Sequence, residues 1–381
     1  MLSQTKRVEG ILLLILAVFG SACGFSGRDK SNSTLRSYAF IANEKSNTVT
    51  VVDLRTFLVV QTVPVGTSPI EVAASPLRDE IYVLNAKSET LAFLNADSLK
   101  VEATIPLGRA PSSLQISPDG KTAYVTNSGS NNISQVDLLE RRVRASVPAG
   151  REPAQSRVTA DGKLLVVSNR GDDSVSIIDL TRMMKIADVK AGNEPGPIAI
   201  LPDGSQFFVA NTGANNISAV DLKSYKLITD LESGSEPLDL VLKPDGGELF
   251  VTNSQSNSVT IVNTYADEIE ENLAAGSNPR RAIVNSSGSL LYVSNFGSNA
   301  VSVLDINSRR VLTSLSVGSG PGTLKLTPDE HYLLVLDSVS NDLAVIDTRA
   351  RSLLTLIPLG MAPRDLAVKE LKASPALTDQ H

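Results

Sequence analysis

The tetrapeptide Tyr124-Val125-Thr126-Asn127 recurs, with small changes, every 42 residues along this chain of 381 residues. Eight positions in strict register are equivalent to its last residue: Asn43, Asn85, Asn127, Asn169, Asn211, Asn253, Asn295 and, as the eighth, Asp337. Each is followed at fixed distances by an Asp or Asn, then a Gly, then a Pro, as in Asp137, Gly150 and Pro153. A period of this length marks a repeat architecture, so the repeat has to be interpreted before any local feature.

Each repeat contains four short runs that favour β-structure, separated by turn signals. In the repeat around Asn127 the runs are Ser113–Ser117, Tyr124–Asn127, Ile133–Asp137 and Val143–Val147. A Pro-Asp-Gly turn and a charged turn connect them, and strands of about five residues joined in this way form an antiparallel meander. A four-stranded meander of 42 residues has the size of one propeller blade.

The two ends of the repeat region determine the number of blades. The region opens at Ser37, in the second strand of a repeat, and closes at Lys369, at the end of a first strand. Three N-terminal strands and the C-terminal segment Pro363–Lys369 therefore complete one blade together, which removes exposed sheet edges. We predict an all-β, eight-bladed β-propeller over residues 37–369, with seven blades and a leftover repeat as the alternative.

The recurring polar residues are expected to be architectural, because eight copies of one residue cannot form a single catalytic site. We expect the Asn to cap the loop that follows its strand, since Asn adopts unusual backbone angles and bonds to nearby amides. The Gly and the Pro are expected to shape the crossing from one blade to the next.

The N-terminus resembles an export signal. Two basic residues precede the apolar run Ile11–Phe19, which is too short to span a membrane, and Gly20-Ser21-Ala22 then lead to Cys23. The only Cys of the chain stands where a bacterial lipoprotein carries its lipidated Cys. We predict a lipoprotein-type signal peptide over residues 1–22 and lipidation of Cys23, although Glu9 and Gly20 depart from the pattern. The alternative is an ordinary cleaved signal.

Two further segments lie outside the predicted ring. Residues 23–36 are small and polar and are expected to form a flexible tether, and residues 370–381 a disordered tail. The predicted localisation is the cell envelope, lipid-anchored at the outer membrane or the periplasmic face.

Composition excludes several classes of protein. One Cys and two His are too few for a disulfide framework, a zinc finger, a haem attachment site or a copper centre, so we predict no metal and no cofactor. A pI near 5.2, a net charge of −6 and the lack of a long basic run indicate no nucleic-acid partner. No paired nucleophile and base is visible, so no catalytic residue is assigned.

The repeat resembles the YVTN β-propeller family of bacterial and archaeal surface and periplasmic proteins. The signature is literal at Tyr124–Asn127 and varies as Phe250–Asn253 and Tyr292–Asn295, and the resemblance extends over residues 37–369. It implies the propeller fold and says little about activity, because proteins with no established chemistry and enzymes share this fold.

Function must then lie where the repeats differ. The first residues of each innermost strand, just after the conserved Pro, line the mouth of the central channel. Seven of them form the predicted ligand-binding set: Glu71, Gln155, Asp239, Arg280, Arg281, Arg364 and Asp365. Clustered Arg could hold a carboxylate, phosphate or acidic sugar, whereas the alternative is a solvated rim with local ion pairs.

We interpret the protein as a monomeric, membrane-tethered binding or scaffolding module for an envelope protein, peptide or glycan, without catalytic activity. The alternative is an enzyme of the lactonase or lyase type that uses the Arg and carboxylate groups of the mouth. Glu71 and Asp365 could also help to bind Ca²⁺, but Asp239 is expected on the opposite side of the ring.

Overall fold

The computed structural model describes residues 35–372, which form eight four-stranded antiparallel sheets arranged as the blades of a β-propeller. The predicted signal peptide, Cys23 and the last nine residues lie outside this range. No helix among the described residues is long and apolar enough to cross a membrane. The prediction of an eight-bladed, all-β propeller is therefore confirmed, and the seven-bladed alternative is wrong.

Besides one short 3₁₀ turn at Ser128–Ser130, the described residues form 32 strands. The first sixteen are β1 (Leu35–Asn43), β2 (Thr48–Asp53), β3 (Leu58–Pro64), β4 (Pro69–Ala74), β5 (Glu80–Asn85), β6 (Thr90–Asn95), β7 (Lys100–Pro106), β8 (Pro111–Ile116), β9 (Thr122–Asn127), β10 (Asn132–Asp137), β11 (Arg142–Pro148), β12 (Pro153–Val158), β13 (Leu164–Asn169), β14 (Ser174–Asp179), β15 (Met184–Lys190) and β16 (Pro195–Ile200). The others are β17 (Gln206–Asn211), β18 (Asn216–Asp221), β19 (Lys226–Glu232), β20 (Pro237–Leu242), β21 (Glu248–Asn253), β22 (Ser258–Asn263), β23 (Glu268–Ala274), β24 (Pro279–Val284), β25 (Leu290–Asn295), β26 (Ala300–Asp305), β27 (Arg310–Ser316), β28 (Pro321–Leu326), β29 (Tyr332–Asp337), β30 (Asp342–Asp347), β31 (Ser352–Pro358) and β32 (Pro363–Lys372).

The ring closes as the ends of the repeat region predict. One blade has the strand order β3-β2-β1-β32, so the two ends of the propeller share a sheet. The closing strands are longer than predicted, because β1 starts at Leu35 and β32 runs to Lys372, and these two residues pair. Leu371 is buried against the core of this blade, which explains why the strand continues past Lys369. Residues 35–36, assigned to the predicted tether, and residues 370–372, assigned to the predicted tail, are therefore part of the ring.

Apolar side chains between successive blades hold the ring together. The first strands of neighbouring blades lie side by side around the channel, and the fourth strands form the outer perimeter. A typical interface packs Tyr82 and Phe93 of one blade against Leu114 and Val125 of the next. The chain has no Trp, and most of this core is Val, Ile and Leu, which suit pleated surfaces buried on both sides.

The recurring Asn has a different role from the loop cap that its sequence suggests. Asn127 is fully buried with extended backbone angles, φ −109° and ψ 96°, and the left-handed residue lies four positions later, at Asn131. The Asn127 side chain donates from Nδ2 to Oγ of Ser134 on the next strand, at 2.8 Å. The same bond, at 2.8 or 2.9 Å, is made by Asn43, Asn169, Asn211, Asn253 and Asn295.

The recurring Gly is explained by this buried amide. A Cβ added to Gly108 would lie 2.6 Å from the side-chain Cγ of Asn127, and the equivalent Gly150 faces Asn169 at the same distance. Real Cβ atoms do not approach this closely, so any larger residue would displace the Asn. Asn and Gly together form one buried node in seven of the eight repeats, at the mouth-side end of the second strand.

Candidate functional site

The innermost strands of all eight blades begin at the conserved Pro and surround the channel at its mouth. A cavity of about 540 Å³ opens there. All seven residues that the sequence predicts for the mouth line this cavity: Glu71, Gln155, Asp239, Arg280, Arg281, Arg364 and Asp365. Their common location is an observed feature of the fold, whereas ligand binding by them stays a prediction.

The three carboxylates of the cavity also connect neighbouring blades. Each accepts a hydrogen bond from the backbone N–H of an innermost strand in the next blade. The bonds run from Leu114 N to Glu71 Oε2 at 2.9 Å, from Ala282 N to Asp239 Oδ2 at 3.0 Å, and from Val72 N to Asp365 Oδ2 at 3.0 Å. The carboxylates therefore have a structural role, and their remaining oxygen atoms are left for other contacts.

Glu71 and Asp365 lie on adjacent blades and influence each other's protonation. Burial, and after it the nearby negative charge of Asp365, raise the pKa of Glu71 to about 8, while the Leu114 N–H opposes the shift. The pKa of Asp365 is also raised, mainly by burial. Together the pair therefore carries less than two negative charges at neutral pH.

On the other side of the cavity Asp239 forms an ion pair with Arg281. Arg281 Nη1 lies 3.2 Å from Asp239 Oδ1. The charge of Asp239 raises the pKa of Arg281, and Asp365 and Glu71 act in the same direction. Arg281 is thus already balanced within the protein, so its guanidinium is the least available of the three predicted Arg residues.

The other two Arg residues lie nearer the rim. Arg364 Nε is 3.3 Å from Glu44 Oε2, and the side chain of Arg364 is 57% exposed. Arg280 stacks over the ring of Phe296, with its guanidinium carbon 4.2 Å from the ring centroid. Within residues 35–372 no carboxylate lies at ion-pair distance from Arg280. Arg280 is therefore the cation of the mouth that is best placed to receive an anion.

Among the cavity residues that the sequence reasoning missed, one is charged and one is aromatic. Arg157 lines the cavity and acts electrostatically on Glu71, and Phe296 supplies the aromatic surface under Arg280. Arg157 could have been found, because it lies two residues after Gln155 and side chains alternate along a strand. Phe296 had no such signal, since it follows the recurring Asn295 in a loop that only the fold brings to the channel.

The cavity does not fit a metal centre. Across residues 35–372 no three His, Cys, Asp or Glu side chains converge in a way that could hold an ion. Glu71 and Asp365 already accept backbone amides, and Asp239 is paired with Arg281. His331 is half-buried at a turn on the opposite face, 3.7 Å from Asp347.

Comparison with protein families gives two matches, both to β-propellers. A YNCE-like beta-propeller family matches residues 102–285, and the family of the 7-bladed beta-propeller lactonases matches residues 22–179. This chain is a β-propeller protein. The eight sheets distinguish it from the seven-bladed architecture that the lactonase family's description states. No curated protein sequence matches the chain.

Solved structures with the same fold are similar to this propeller at low sequence identity. Kuenenia stuttgartiensis hydrazine synthase has 22% identity and a TM-score of 0.60, with 74% of this chain and 95% of that chain covered. The dihydro-haem d1 dehydrogenase NirN, in complex with DHE, has 14% identity and a TM-score of 0.75, with 88% and 75% covered. A functionally unknown protein from Desulfotomaculum acetoxidans has 14% identity and a TM-score of 0.62, with 87% and 98% covered. At these identities the likeness extends to the fold alone.

Proposed function

We propose that this propeller is a non-enzymatic binding module of the cell envelope, which holds an anionic group of a peptide, protein or glycan at the mouth of its channel. The observation that carries the proposal is the position of Arg280. Its guanidinium is stacked on Phe296, faces the cavity and has no carboxylate partner in the described chain. A planar, fixed guanidinium is well suited to bind a carboxylate or phosphate.

The charge of the cavity supports an anionic ligand. Its lining contains four cations, Arg157, Arg280, Arg281 and Arg364, against three carboxylates. Because the pKa values of Glu71 and Asp365 are both raised, the three carboxylates carry fewer than three negative charges near neutral pH, and the lining has a net positive charge. The whole chain carries −6, so this positive region stands out from an acidic protein and would concentrate anions at the mouth.

An enzymatic role is the second candidate, and one observation favours it. Glu71 is a carboxyl group with a pKa of about 8 inside a polar cavity, a state found in general acids and bases. Against it, the three carboxylates of the cavity do not converge on a point that could hold a metal ion, and its lining contains no His, Cys, Met or Tyr that could ligate a haem. The likeness to a lactonase family and to two enzymes is a likeness of fold.

The binding proposal is tested by titrating the protein with three probes: inorganic phosphate, succinate and galacturonate. We expect at least one probe to bind, and Arg280→Ala to weaken it about tenfold or more, because a charge-assisted bond contributes about 1.5–3 kcal/mol. Arg142→Ala is the matched control, since its side chain is exposed on an outer strand. Equal binding by the Arg280 and Arg142 variants would contradict the proposal.

The envelope location belongs to the same proposal and has a separate test. If Cys23 is lipidated, the wild-type protein stays with membranes through a wash with 1 M salt, because an acyl anchor is not electrostatic. Cys23→Ser should release the protein in that wash. Retention of the variant in the membrane fraction would show that Cys23 is not the anchor, and would leave the channel proposal intact.

A further inference from the structure

The outer perimeter of the ring is not uniform. Three successive blades expose large apolar side chains on their outermost strands: three on β3, two on β27 and three on β31. Leu58 is 65% exposed and Val60 48%, Leu354 is 46% and Leu312 40% exposed. We call the strands Leu58–Pro64, Arg310–Ser316 and Ser352–Pro358 the apolar flank. Contiguous exposed apolar surface of this kind marks an interaction site.

Each of the other five outer strands contains charged residues, whereas the apolar flank is almost free of them. Leu58–Pro64 and Ser352–Pro358 contain no charged residue, and Arg310 is the only one in the third strand. In the blade next to Arg310–Ser316, Glu268–Ala274 alone contains three Glu. None of the large apolar residues of Lys100–Pro106 or Glu268–Ala274 is exposed. The difference lies in the sequence of the repeats, because the backbone fold of all eight blades is the same.

Exposed Arg residues border the apolar flank on the face opposite the channel mouth. They are Arg55, Arg310, Arg349 and Arg351, at the turns that lead into the three strands. The acidic residues of the same turns accept backbone N–H groups, and Asp53 also lies 3.9 Å from the Arg55 guanidinium. Asp53 accepts the backbone N–H of Arg55 at 2.7 Å, Asp305 that of Ser308 at 2.7 Å, and Asp347 that of Arg349 at 2.9 Å. An apolar surface with an Arg border therefore faces outward here.

We propose that the apolar flank lies against the surface of an anionic phospholipid bilayer. Leu and Val side chains enter the boundary between headgroups and acyl chains, and the bordering guanidinium groups bind lipid phosphates. The entry of the chain agrees with this orientation. Leu35 opens β1 on the Arg-bearing face, in the same blade as Leu58–Pro64.

A second copy of this chain is a poorer fit to the same surface. Docking by strand addition needs a regular, unpaired edge. Each of the three outer strands has an irregular register with its neighbour, and two of them end in Pro64 and Pro358, which carry no N–H. Side-chain contact with lipid does not need a regular edge, which is why the bilayer is the occupant that we infer.

The test uses a chain that starts at residue 24, because all 32 strands lie within residues 35–372 and this chain lacks the apolar run and Cys23. Its binding is measured by flotation with vesicles of phosphatidylglycerol and phosphatidylcholine in equal parts, and with pure phosphatidylcholine. We expect binding to the anionic vesicles. The triple variant Val60→Ser, Leu312→Ser and Leu354→Ser should bind at least tenfold more weakly.

The matched control is the triple variant Met184→Ser, Leu227→Ser and Ile228→Ser, which removes exposed apolar side chains from outer strands elsewhere on the ring. It should bind like the parent chain. A third variant, Arg55→Gln, Arg310→Gln and Arg349→Gln, should lose the preference for anionic vesicles. Far-ultraviolet circular dichroism and thermal unfolding show whether each variant has kept its fold.

Three results would overturn the proposal. The parent chain could fail to float with anionic vesicles, or the two apolar variants could lose binding equally. Sedimentation could also show a dimer of the parent chain that the flank variant alone disrupts, which would identify a second copy as the occupant. None of these results bears on anion binding by Arg280 at the channel mouth, so the two proposals fail independently.

Discussion

Six of the eight blades close their buried node with an Asn amide that donates to a hydroxyl seven residues later, and a seventh carries the same Asn, whereas one blade has a pair of carboxyl groups there. In that blade Asp337 replaces the Asn, Asp342 stands where other repeats have Ser, Thr, Asn or Ala, and Ala344 replaces the hydroxyl. Asp337 is fully buried and accepts the backbone N–H of Gly318 at 3.0 Å. The same backbone position is therefore occupied by a side-chain amide in seven blades and by a carboxyl group in one.

The difference makes one blade sensitive to protons. Burial, and after it the hydrogen bond and charge of Asp342, raise the pKa of Asp337 to about 8. Below that pH Asp337 keeps its proton and can donate it to Asp342, as an Asn amide would donate its N–H. Above it, two buried charges repel each other without a cation between them. An amide node has no such dependence.

The largest expected effect comes from removing an amide node. Asn127→Ala leaves a small cavity and leaves Ser134 and Asn132 without their buried donor. We expect the free energy of unfolding to fall by about 3 kcal/mol. Urea denaturation at pH 8 measures it. Asp337→Ala under the same conditions should lower the free energy of unfolding clearly less, because it also removes a buried charge. An equal loss in the two variants would contradict the difference between the amide and the carboxyl nodes.

The second effect concerns the Gly that faces each node. Gly108→Ala places a methyl group 2.6 Å from the Asn127 side chain, so the free energy of unfolding should fall by about 2 kcal/mol. In the double variant with Asn127→Ala the contact with the amide is absent and only Cβ of residue 127 remains, at 2.9 Å, so the combined loss should be smaller than the sum of the two. Gly204→Ala is a control in which the new methyl group has no neighbour within 4 Å, and only its left-handed backbone is strained. Additive losses in the double variant would show that the Gly serves another purpose.

The third effect is the dependence of stability on pH. Between the unfolded pKa of 3.8 and the folded pKa of about 8, the folded chain binds more protons at Asp337 than the unfolded chain, so stability falls as pH rises through this window. Asp337→Asn should be nearly neutral at pH 5 and should stabilise the protein by about 1–2 kcal/mol at pH 9. Thermal unfolding across this range measures the difference between variant and parent.

Glu71, with a raised pKa of its own, contributes a decline of the same sign, so only the difference between variant and parent reports on Asp337. The reverse change, Asn295→Asp, should introduce a new decline with pH in another blade. If Asp337→Asn shows the same pH dependence as the parent protein, the carboxyl pair does not hold a proton.

The smallest effect is expected from restoring the missing hydroxyl. In the Asp337→Asn background, Ala344→Ser would give the new amide an acceptor at the position that Ser134 has in another blade. The gain should be about 0.5–1 kcal/mol, the usual net contribution of one buried hydrogen bond. In the parent background the same substitution should gain less, and denaturation of all four chains tests this coupling directly.

The repeat alone was enough to predict the architecture. Its period, the turn residues within it and the point at which it starts and stops indicate four strands per blade, eight blades and a shared closing blade. These features are local, or depend on counting, so no knowledge of long-range contacts is needed. The ends were less well predicted, because Leu35 and Leu371 are incorporated through pairing and burial that their polar surroundings conceal.

The sequence predicted which residues belong to the candidate site, but not how they interact. Each of the seven mouth residues follows from its position after the conserved Pro, and all seven line one cavity. The contact partners of these residues could not be predicted from the sequence. That Arg281 pairs with Asp239, that Arg364 meets Glu44 and that Arg280 stacks on Phe296 depends on distances across blades. Such contacts join residues that are tens or hundreds of positions apart.

By itself the sequence determined the eightfold ring, the non-repeating residues at its mouth and the one blade in which Asp337 replaces Asn. Only the tertiary structure decided what these residues do. It showed that the recurring Asn is a buried donor and not a loop cap, that Asp337 shares its enclosure with Asp342, and that the uncharged outer strands lie side by side on the perimeter. The physical reason is that a repeat specifies backbone geometry locally, whereas burial and charge pairing depend on which blades the closed ring brings together.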